Sequence, residues 1–482
     1  MHPGALALED FLVMRALNAL PGRLRQLAWR RWLPLAVALG VLAASALLGT
    51  QATPRLLLLI GAAVVGATSF IWLTRHIEWG ILALVPVTFL VPFGLGTGTQ
   101  TEINLTILLS LLLVGVWALR MLVLERRAVL APSAANLPVL LFIVAVGLSF
   151  LASDLPWLPF VTARAGAFAQ MGGVLMLVLP LGLLLLTGNL LRQEKWLRWL
   201  VGLFLGLGVV YLLSRVLPGG GIVSRLFPEK SVSAMFYVWI TALAGGMLLF
   251  NTSLNRRGRW LLGGVVGLAL LVAMGLMRSN ASYWVPPILV LAALLTLKWW
   301  RLGVVFGLAA GFVLVLRYPE IYELLFRTEE YSAMTRSATW PIMAELVKAS
   351  PLLGLGPSNY YFYTPHFSLL GYYVQFNSHN NYWDLAAQVG LLGLFLFLWL
   401  AIALGRTAWK LRDNTGSGFQ RSYAYAALAG LVGTLASGML ADWFMPFVYN
   451  IGFNGFRGAV FAWLFLGGLI ALERLNVSTL ER

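Results

Sequence analysis

The amino-acid sequence predicts an all-α integral membrane protein, a polytopic bundle of about 14 transmembrane helices with one large ordered external loop. Three observations lead there. The 482-residue chain is 60% hydrophobic and only 11% charged, whereas soluble domains carry roughly 25% charged residues. Too little polar surface is left to face water. Apolar stretches of about 20 residues, the length that crosses a bilayer as a helix, recur along the chain. The basic residues, which outnumber the acidic ones 34 to 18, collect on alternate connections between those stretches. With no cysteine, a disulfide framework, a thiolate metal cluster and a cysteine nucleophile are all excluded.

The elements follow in order. Residues 1–32 read as a cytoplasmic amphipathic segment: Gly4–Trp32 alternates Leu, Ala and Val with Arg and is expected to lie on the anionic leaflet. No small-residue cleavage site follows a short apolar region, so a cleaved signal peptide is not expected. The spans fall near 33–50, 56–74, 80–97, 103–123, 137–152, 166–190, 199–217, 232–250, 260–277, 282–297, 302–316, 382–404, 423–441 and 456–472. Residues 33–316 thus form a transmembrane bundle, 317–381 the external loop, and 382–482 the last helices with a short cytoplasmic tail. With the N-terminus in the cytoplasm and sides alternating, the inside holds 23 of the 34 basic residues and 8 of the 18 acidic ones. Nearly all of the formal net charge of +16 is then the positive-inside bias. Both termini are placed in the cytoplasm, and the charge gives no reason to expect a nucleic-acid partner.

The external loop stands apart from the other connections. It holds Glu320, Glu323, Glu329, Glu330, Glu345, Arg336, Lys348, His366 and His379, among many Tyr, Phe, Trp and Leu residues. Loops this long are functional or disordered, and the aromatic content argues for order. Short helices are expected over Tyr318–Leu325 and Pro341–Val347, with Pro341 in a first turn. Between them and the next span lies Ser350-Pro351-Leu352-Leu353-Gly354-Leu355-Gly356-Pro357, whose glycines and prolines imply tight turns and close backbone approach. The aromatic run Tyr360–Tyr363 and the pair Tyr372-Tyr373 either stack on sugar faces or anchor the loop at the interface. The turn from Asp442 to Arg457 is a further candidate lining on the same side.

Of the four histidines, His379 is placed at the outer interface beside the start of a long apolar helix. A helix N-terminus disfavours imidazolium, which suits a neutral base near pH 7; the alternative is a histidine that caps the helix. Asn380 and Asn381 read as helix-start residues. Asp384 either orients the imidazole or closes the helix terminus, the second being favoured.

His379-Asn380, followed after nine residues by Gly390-Leu391-Leu392-Gly393, resembles the signature of the O-antigen ligase family, membrane glycan transferases that include O-antigen polymerases. Arg336-Ser337-Ala338-Thr339-Trp340 and the Pro351–Pro357 segment resemble the family's Arg…Trp and Pro-Leu-x-Gly-x-Gly-Pro elements. Met277-Arg278-Ser279 is similar to its Ser-Arg-Gly turn, with Met and Ser in the flanking places, and Arg225-Leu226-Phe227 to an arginine loop. The resemblance spans roughly residues 220–400. It implies a GT-C-like helical fold in the bacterial cytoplasmic (inner) membrane and a metal-independent, inverting transfer of a glycan from undecaprenyl pyrophosphate to an acceptor hydroxyl on the periplasmic face. Arg278 and Arg336 would grip the diphosphate, and His379 would act as base or orient the acceptor. Arg225, Asn380, Tyr360, Trp340 and Asp384 would contact substrate or shape its site. Guanidinium forks suit phosphate oxygens, and no cofactor is implied. The expected partners are the polyprenyl-pyrophosphate glycan, an acceptor glycan, lipid or protein, and membrane lipids. The motifs serve ligase and polymerase alike. A transporter or flippase is the other class, but no ionisable residue falls at the centre of an expected span, as ion-coupled transport would require.

Overall fold

The computed structural model describes residues 75–96, 102–127, 129–277, 280–316, 330–414 and 418–480, together with Thr68 and Trp72. The chain divides into two compact units, 1–75 and 76–482, and nearly all described residues belong to the second. The amphipathic segment expected over 1–32, the span expected at 33–50 and most of that expected at 56–74 lie outside the described residues.

In the second unit the helices are α1 (Ile77–Leu90), α2 (Leu105–Leu119), α3 (Asn136–Leu151), α4 (Ala167–Leu190), α5 (Glu194–Val216), α6 (Ala234–Phe250), α7 (Arg256–Gly275), α8 (Ala281–Lys298), α9 (Trp300–Leu316), α10 (Glu330–Ala349), α11 (Asn381–Asn414), α12 (Gly418–Leu440) and α13 (Phe456–Leu480). Among the described residues nine helices are long and apolar enough to cross a membrane, and α1, α6 and part of α9 are shorter apolar helices. Every span expected from residue 80 onward overlaps a helix. Asparagines mark several starts: Asn104, Asn255 and Asn280 accept hydrogen bonds from the backbone N–H groups of Ile107, Gly258 and Ser282 at 3.1, 2.8 and 3.1 Å, which satisfies first-turn donors that lipid cannot.

α13 is the central post, its apolar stretch buried throughout. Small residues let neighbours close on it and on each other. A Cβ on Gly188 of α4 would meet Ile470, one on Gly467 would meet Leu184 and Thr187, and one on Gly430 of α12 would meet the Trp239 ring of α6. Helices in lipid gain most of their association from such close packing.

Contacts between helix ends show that the chain runs back and forth between two faces. At one face Trp79 meets Trp196 edge-on at 5.3 Å, the Arg198 guanidinium lies 4.6 Å from the Phe419 ring, Lys298 faces Phe250, and Arg474 donates to the Asn189 carbonyl at 2.7 Å. At the other face, which carries α10 and residues 350–380, Asn359 binds the Ala165 N–H at 3.0 Å and Asn104 donates to the Phe453 carbonyl at 2.8 Å.

Two expectations are corrected. The span expected at 80–97 ends at Leu90, and Gly94–Gly96 pairs antiparallel with Glu102–Asn104. This small ribbon is held by Arg457, which is 3% exposed and donates to the Val91 and Phe93 carbonyls at 2.7 and 3.0 Å. Three residues per strand give too short an alternation to read in sequence. In the loop, Pro341 does not open a short helix: it lies inside the 20-residue α10. A proline in a helix interior forfeits one backbone hydrogen bond, so the first-turn rule set the expected boundary too late. The helix expected over Tyr318–Leu325 lies outside the described residues.

Candidate active site

The site begins with a broken helix. α11 is interrupted at Gly390, whose φ of 76° and ψ of 179° no side-chain-bearing residue adopts comfortably. The break exposes backbone groups, and the Pro351–Pro357 segment takes them up. Leu355 and Gly356 donate to the Ala387 and Gln388 carbonyls at 2.8 and 3.1 Å, and Leu391 donates to the Pro351 carbonyl at 2.7 Å. Ser149 of α3 adds a bond to the Gln388 carbonyl at 2.5 Å, and the Gln388 side chain accepts from Ser358 N–H at 2.8 Å. A Cβ on Gly390 would overlap the Leu352 carbonyl, and one on Gly354 would press on the Gln388 backbone. The glycines of both sequence motifs therefore meet each other: they weld residues 350–358 to the broken helix.

The stub Asn381–Val389 carries His379 at its entrance. His379 has φ +48°, a left-handed conformation that is uncommon outside glycine and favoured by Asn, Asp and His. Its N–H donates to Asn377 Oδ1 at 3.2 Å. It does not cap the helix. Asn380 does, accepting from the Tyr382 and Trp383 N–H groups at 2.9 and 3.4 Å. Asn381 clamps the turn after α12, donating to the Met445 carbonyl at 2.7 Å and accepting from Phe444 N–H at 3.2 Å. Tyr382 OH reaches the Leu435 carbonyl at 2.7 Å.

Below this bend lies a buried network. Asp384 is 2% exposed, and its Oδ1 accepts from Tyr360 OH and Ser378 Oγ, each at 2.6 Å. Ser378 Oγ also receives the Asn380 N–H at 3.1 Å, and Ser378 N–H donates to Tyr360 OH at 3.3 Å. Tyr360 is fully buried and stacked on Phe447 at 4.6 Å. Burial, reinforced by the neighbouring Asp384 carboxylate, pushes the Tyr360 phenol well above its ordinary range, so it stays a donor. The sequence-based preference for Asp384 as the residue closing the helix is thus corrected: it sits one turn in and braces the segment just before His379. The sugar-stacking reading of Tyr360 is corrected in the same way, since its ring faces protein. Tyr372 and Tyr373 are the exposed aromatics, at 63% and 69%.

Above the bend comes the turn between α12 and α13. Asp442, 1% exposed, accepts from Phe447 N–H at 2.7 Å and from the Asn450 amide, and that amide also lies 3.4 Å from Nδ1 of His379. The sequence offered only the broad guess that 442–457 lines the site. Asn450 went unnoticed because a lone Asn more than 70 residues from His379 carries no motif. Of the remaining expected residues, Arg336 lies on α10 and Trp340 on the same helix is 45% exposed. Arg225 is exposed beside a single helical turn, Gly221–Ser224. Arg278 lies outside the described residues. Among the described residues no group of three His, Asp or Glu side chains could hold a metal ion.

A bundle of apolar helices that crosses between two faces, with a polar, hydrogen-bonded site at one of them, defines a multi-pass membrane protein. Residues 285–398 match the family model described as O-antigen ligase. This segment runs from within α8 through α10, the welded loop, His379 and the break at Gly390. No curated protein matches the chain.

Proposed function

We propose that the protein transfers a glycan from undecaprenyl pyrophosphate to an acceptor hydroxyl on the periplasmic face of the bacterial inner membrane, without a metal and with inversion at the anomeric carbon. The observation that carries this reading is the seating of His379. The one histidine in the O-antigen ligase motif sits in a left-handed bend, with the Asn450 amide 3.4 Å from its Nδ1 and with buried hydrogen bonds of Tyr360 and Ser378 to Asp384 bracing the chain on either side of it. Fixing one imidazole so firmly suits a group that must meet a reacting atom.

The face follows from charge. Arg192, Lys195, Arg198, Arg256, Arg257, Arg259, Lys298, Arg301, Arg406, Lys410, Arg412, Arg421 and Arg474 lie toward the helix ends opposite His379. The positive-inside rule favours the cytoplasm for that end, which supports a site on the outer face. Arg336 and Arg278 supply guanidinium forks for the diphosphate, whose departure needs its growing negative charge met. Arg225 is a more peripheral phosphate contact. Trp340, exposed on the same helix as Arg336, offers a face to sugar or lipid.

The same site serves a polymerase that joins repeat units on one carrier; the product separates the two. Loss of a ladder of chain lengths on deletion marks a polymerase, and long polymer left on the carrier marks a ligase. The test of the shared chemistry is reconstituted transfer from a polyprenyl-pyrophosphate glycan by His379→Ala, Arg336→Ala and Arg278→Ala variants, with and without chelator. A base or orienting group contributes about 10²–10⁴-fold, so His379→Ala is expected to fall in that range. Wild-type rates in all three variants would refute the assignment, and loss of activity with chelator would refute the metal-free mechanism.

A further inference from the structure

The cations at the end of the bundle opposite His379 are not all alike. Some are taken up by the protein: Arg198 pairs with Glu194, Arg412 pairs with Asp413 at 3.0 Å, and Arg474 donates to the Asn189 carbonyl at 2.7 Å. Three others border a single cavity. Arg259 in the first turn of α7, Lys298 at the last position of α8 and Arg421 in the first turn of α12 line a hollow of about 280 Å³ where the ends of α6, α7, α8 and α12 meet. No Asp or Glu lines it, and among the described residues these three cations form no ion pair.

The floor of the cavity differs from its rim. Phe250 and Tyr425, each 6% exposed, stack face to face at 3.7 Å with 7° between their planes. Lys298 Nζ stands 5.4 Å from the Phe250 ring, within reach of a cation–π contact. Asn251 is 7% exposed, and among the described residues its amide nitrogen meets only the Met247 sulfur, at 4.0 Å, a weak acceptor. A cleft lined by one sign of charge gathers counter-ions, and guanidinium forks match phosphate oxygens. The first turns of α7 and α12 add the positive ends of two helix dipoles.

The surroundings decide which anion this cavity suits. Trp260, Trp299 and Trp300 are 72%, 48% and 65% exposed and adjoin Arg259 and Lys298 in the chain. Exposed tryptophans settle at headgroup depth, so the cavity opens among lipid headgroups. A lipid phosphate is already confined to that depth, whereas a dissolved phosphate must be brought there. We propose that the cavity binds the phosphate of an anionic phospholipid, with Arg259, Lys298 and Arg421 on the phosphate oxygens and the Phe250–Tyr425 pair beneath the glycerol carbons. Basic pockets between membrane helices take acidic headgroups in this way, and a bound lipid would tie the ends of four helices together. The site is separate from the glycan chemistry proposed above, so its test reads binding and not transfer.

The full chain, purified in a non-ionic detergent, is titrated with phosphatidylglycerol and with phosphatidylcholine, and native mass spectrometry counts the bound lipid. Each cation beside a lipid phosphate contributes about 5-fold in affinity. Arg259→Gln, Lys298→Gln and Arg421→Gln combined are therefore expected to weaken phosphatidylglycerol binding on the order of 100-fold, with phosphatidylcholine binding little changed. The control combines Arg126→Gln, Arg127→Gln and Arg406→Gln, which remove the same charge from the same end outside the cavity, and is expected to bind as wild type. Equal weakening in both overturns the proposal, because the attraction would then be to net charge. Equal affinity of the wild type for the two lipids overturns it as well.

A second arm separates a lipid from a dissolved anion. A ligand that binds the folded state raises the unfolding temperature. Phosphatidylglycerol is expected to raise it in the wild type and not in the cavity variant, while inorganic phosphate and glycerol 3-phosphate leave it unchanged. Protection by inorganic phosphate equal to that by the lipid would mean a site for dissolved anions and overturn the lipid assignment. If the combined variant does not fold, Lys298→Gln alone decides: about 5-fold weaker binding is expected, and unchanged binding refutes the proposal.

Discussion

Replacing Gly390 by alanine tests how the site is built. The perturbation is one methyl group at the break in α11. Two costs follow from the structure. The backbone at φ 76° and ψ 179° lies in a region open essentially to glycine alone, which costs an L-residue about 1–3 kcal/mol. The new Cβ would also overlap the Leu352 carbonyl, so the welded loop must retreat. Retreat lengthens the bonds from Leu391 to Pro351 and from Leu355 and Gly356 to Ala387 and Gln388. Each contributes about 0.5–1.5 kcal/mol, and losing two brings the total to about 2–6 kcal/mol. Gly405→Ala is the control: it lies in the same helix beyond the break, where a Cβ would meet Leu431 at an ordinary 3.6 Å. Thermal unfolding and limited proteolysis in nanodiscs report the outcome. Gly390→Ala is expected to unfold earlier, with faster cleavage between residues 350 and 380 and reduced transfer, while Gly405→Ala matches or exceeds wild type. If Gly390→Ala were as stable and active as Gly405→Ala, the weld would not be what holds His379.

Three further outcomes follow. Asp384→Leu leaves Tyr360 OH without its acceptor, a loss of about 1–3 kcal/mol for the orphaned group, while Ser378 Oγ keeps the Asn380 carbonyl at 2.9 Å; Asp384→Asn keeps an oxygen there and is expected to retain more stability and more transfer, as unfolding and kcat measurements would show. Tyr360→Phe removes one hydroxyl from a buried stack without emptying it, so kcat is expected to fall with little change in KM, because the residue shapes the bend and does not face substrate. Arg457→Leu strips the Val91 and Phe93 carbonyls of a charged donor, and hydrogen bonds to charged groups contribute about 1.5–3 kcal/mol; hydrogen exchange should rise over 91–96 and 102–104, and an unchanged pattern there would refute the anchoring role.

What could be read in the sequence divides along physical lines. Most helices from residue 80 onward were legible because a helix that crosses lipid needs about 20 mostly apolar residues in a row, a pattern that stands out in sequence. The weld was half legible. Gly354 and Gly356 announced close backbone approach and Gly390 stood in the family signature, but nothing local says that the two groups approach each other. Pro341 misled because a rule for helix starts was applied to a helix that runs straight through it. Asn450 and Asp442 were illegible as partners of His379, since a contact across a turn between two other helices leaves no spacing to detect. Arg457 was read only as the end of a turn that lines the site, and its carbonyl partners place it in the packed interior.

The arrangement also explains why the motif has the length it has. From His379 to Gly390 the chain makes an entrance bend, a cap at Asn380 and a stub of just over two turns. The stub is long enough to bury Asp384 one turn below the bend, where Tyr360 and Ser378 reach it, and to bring the Ala387 and Gln388 carbonyls level with the Pro351–Pro357 loop. One residue fewer would rotate Asp384 by about 100° around the helix axis and carry it off the face that meets Tyr360. The nine residues between the His-Asn pair and the first glycine thus set the phase between two anchors, one under the imidazole and one at the break, and it is the rigidity of the stub between them that fixes the ring.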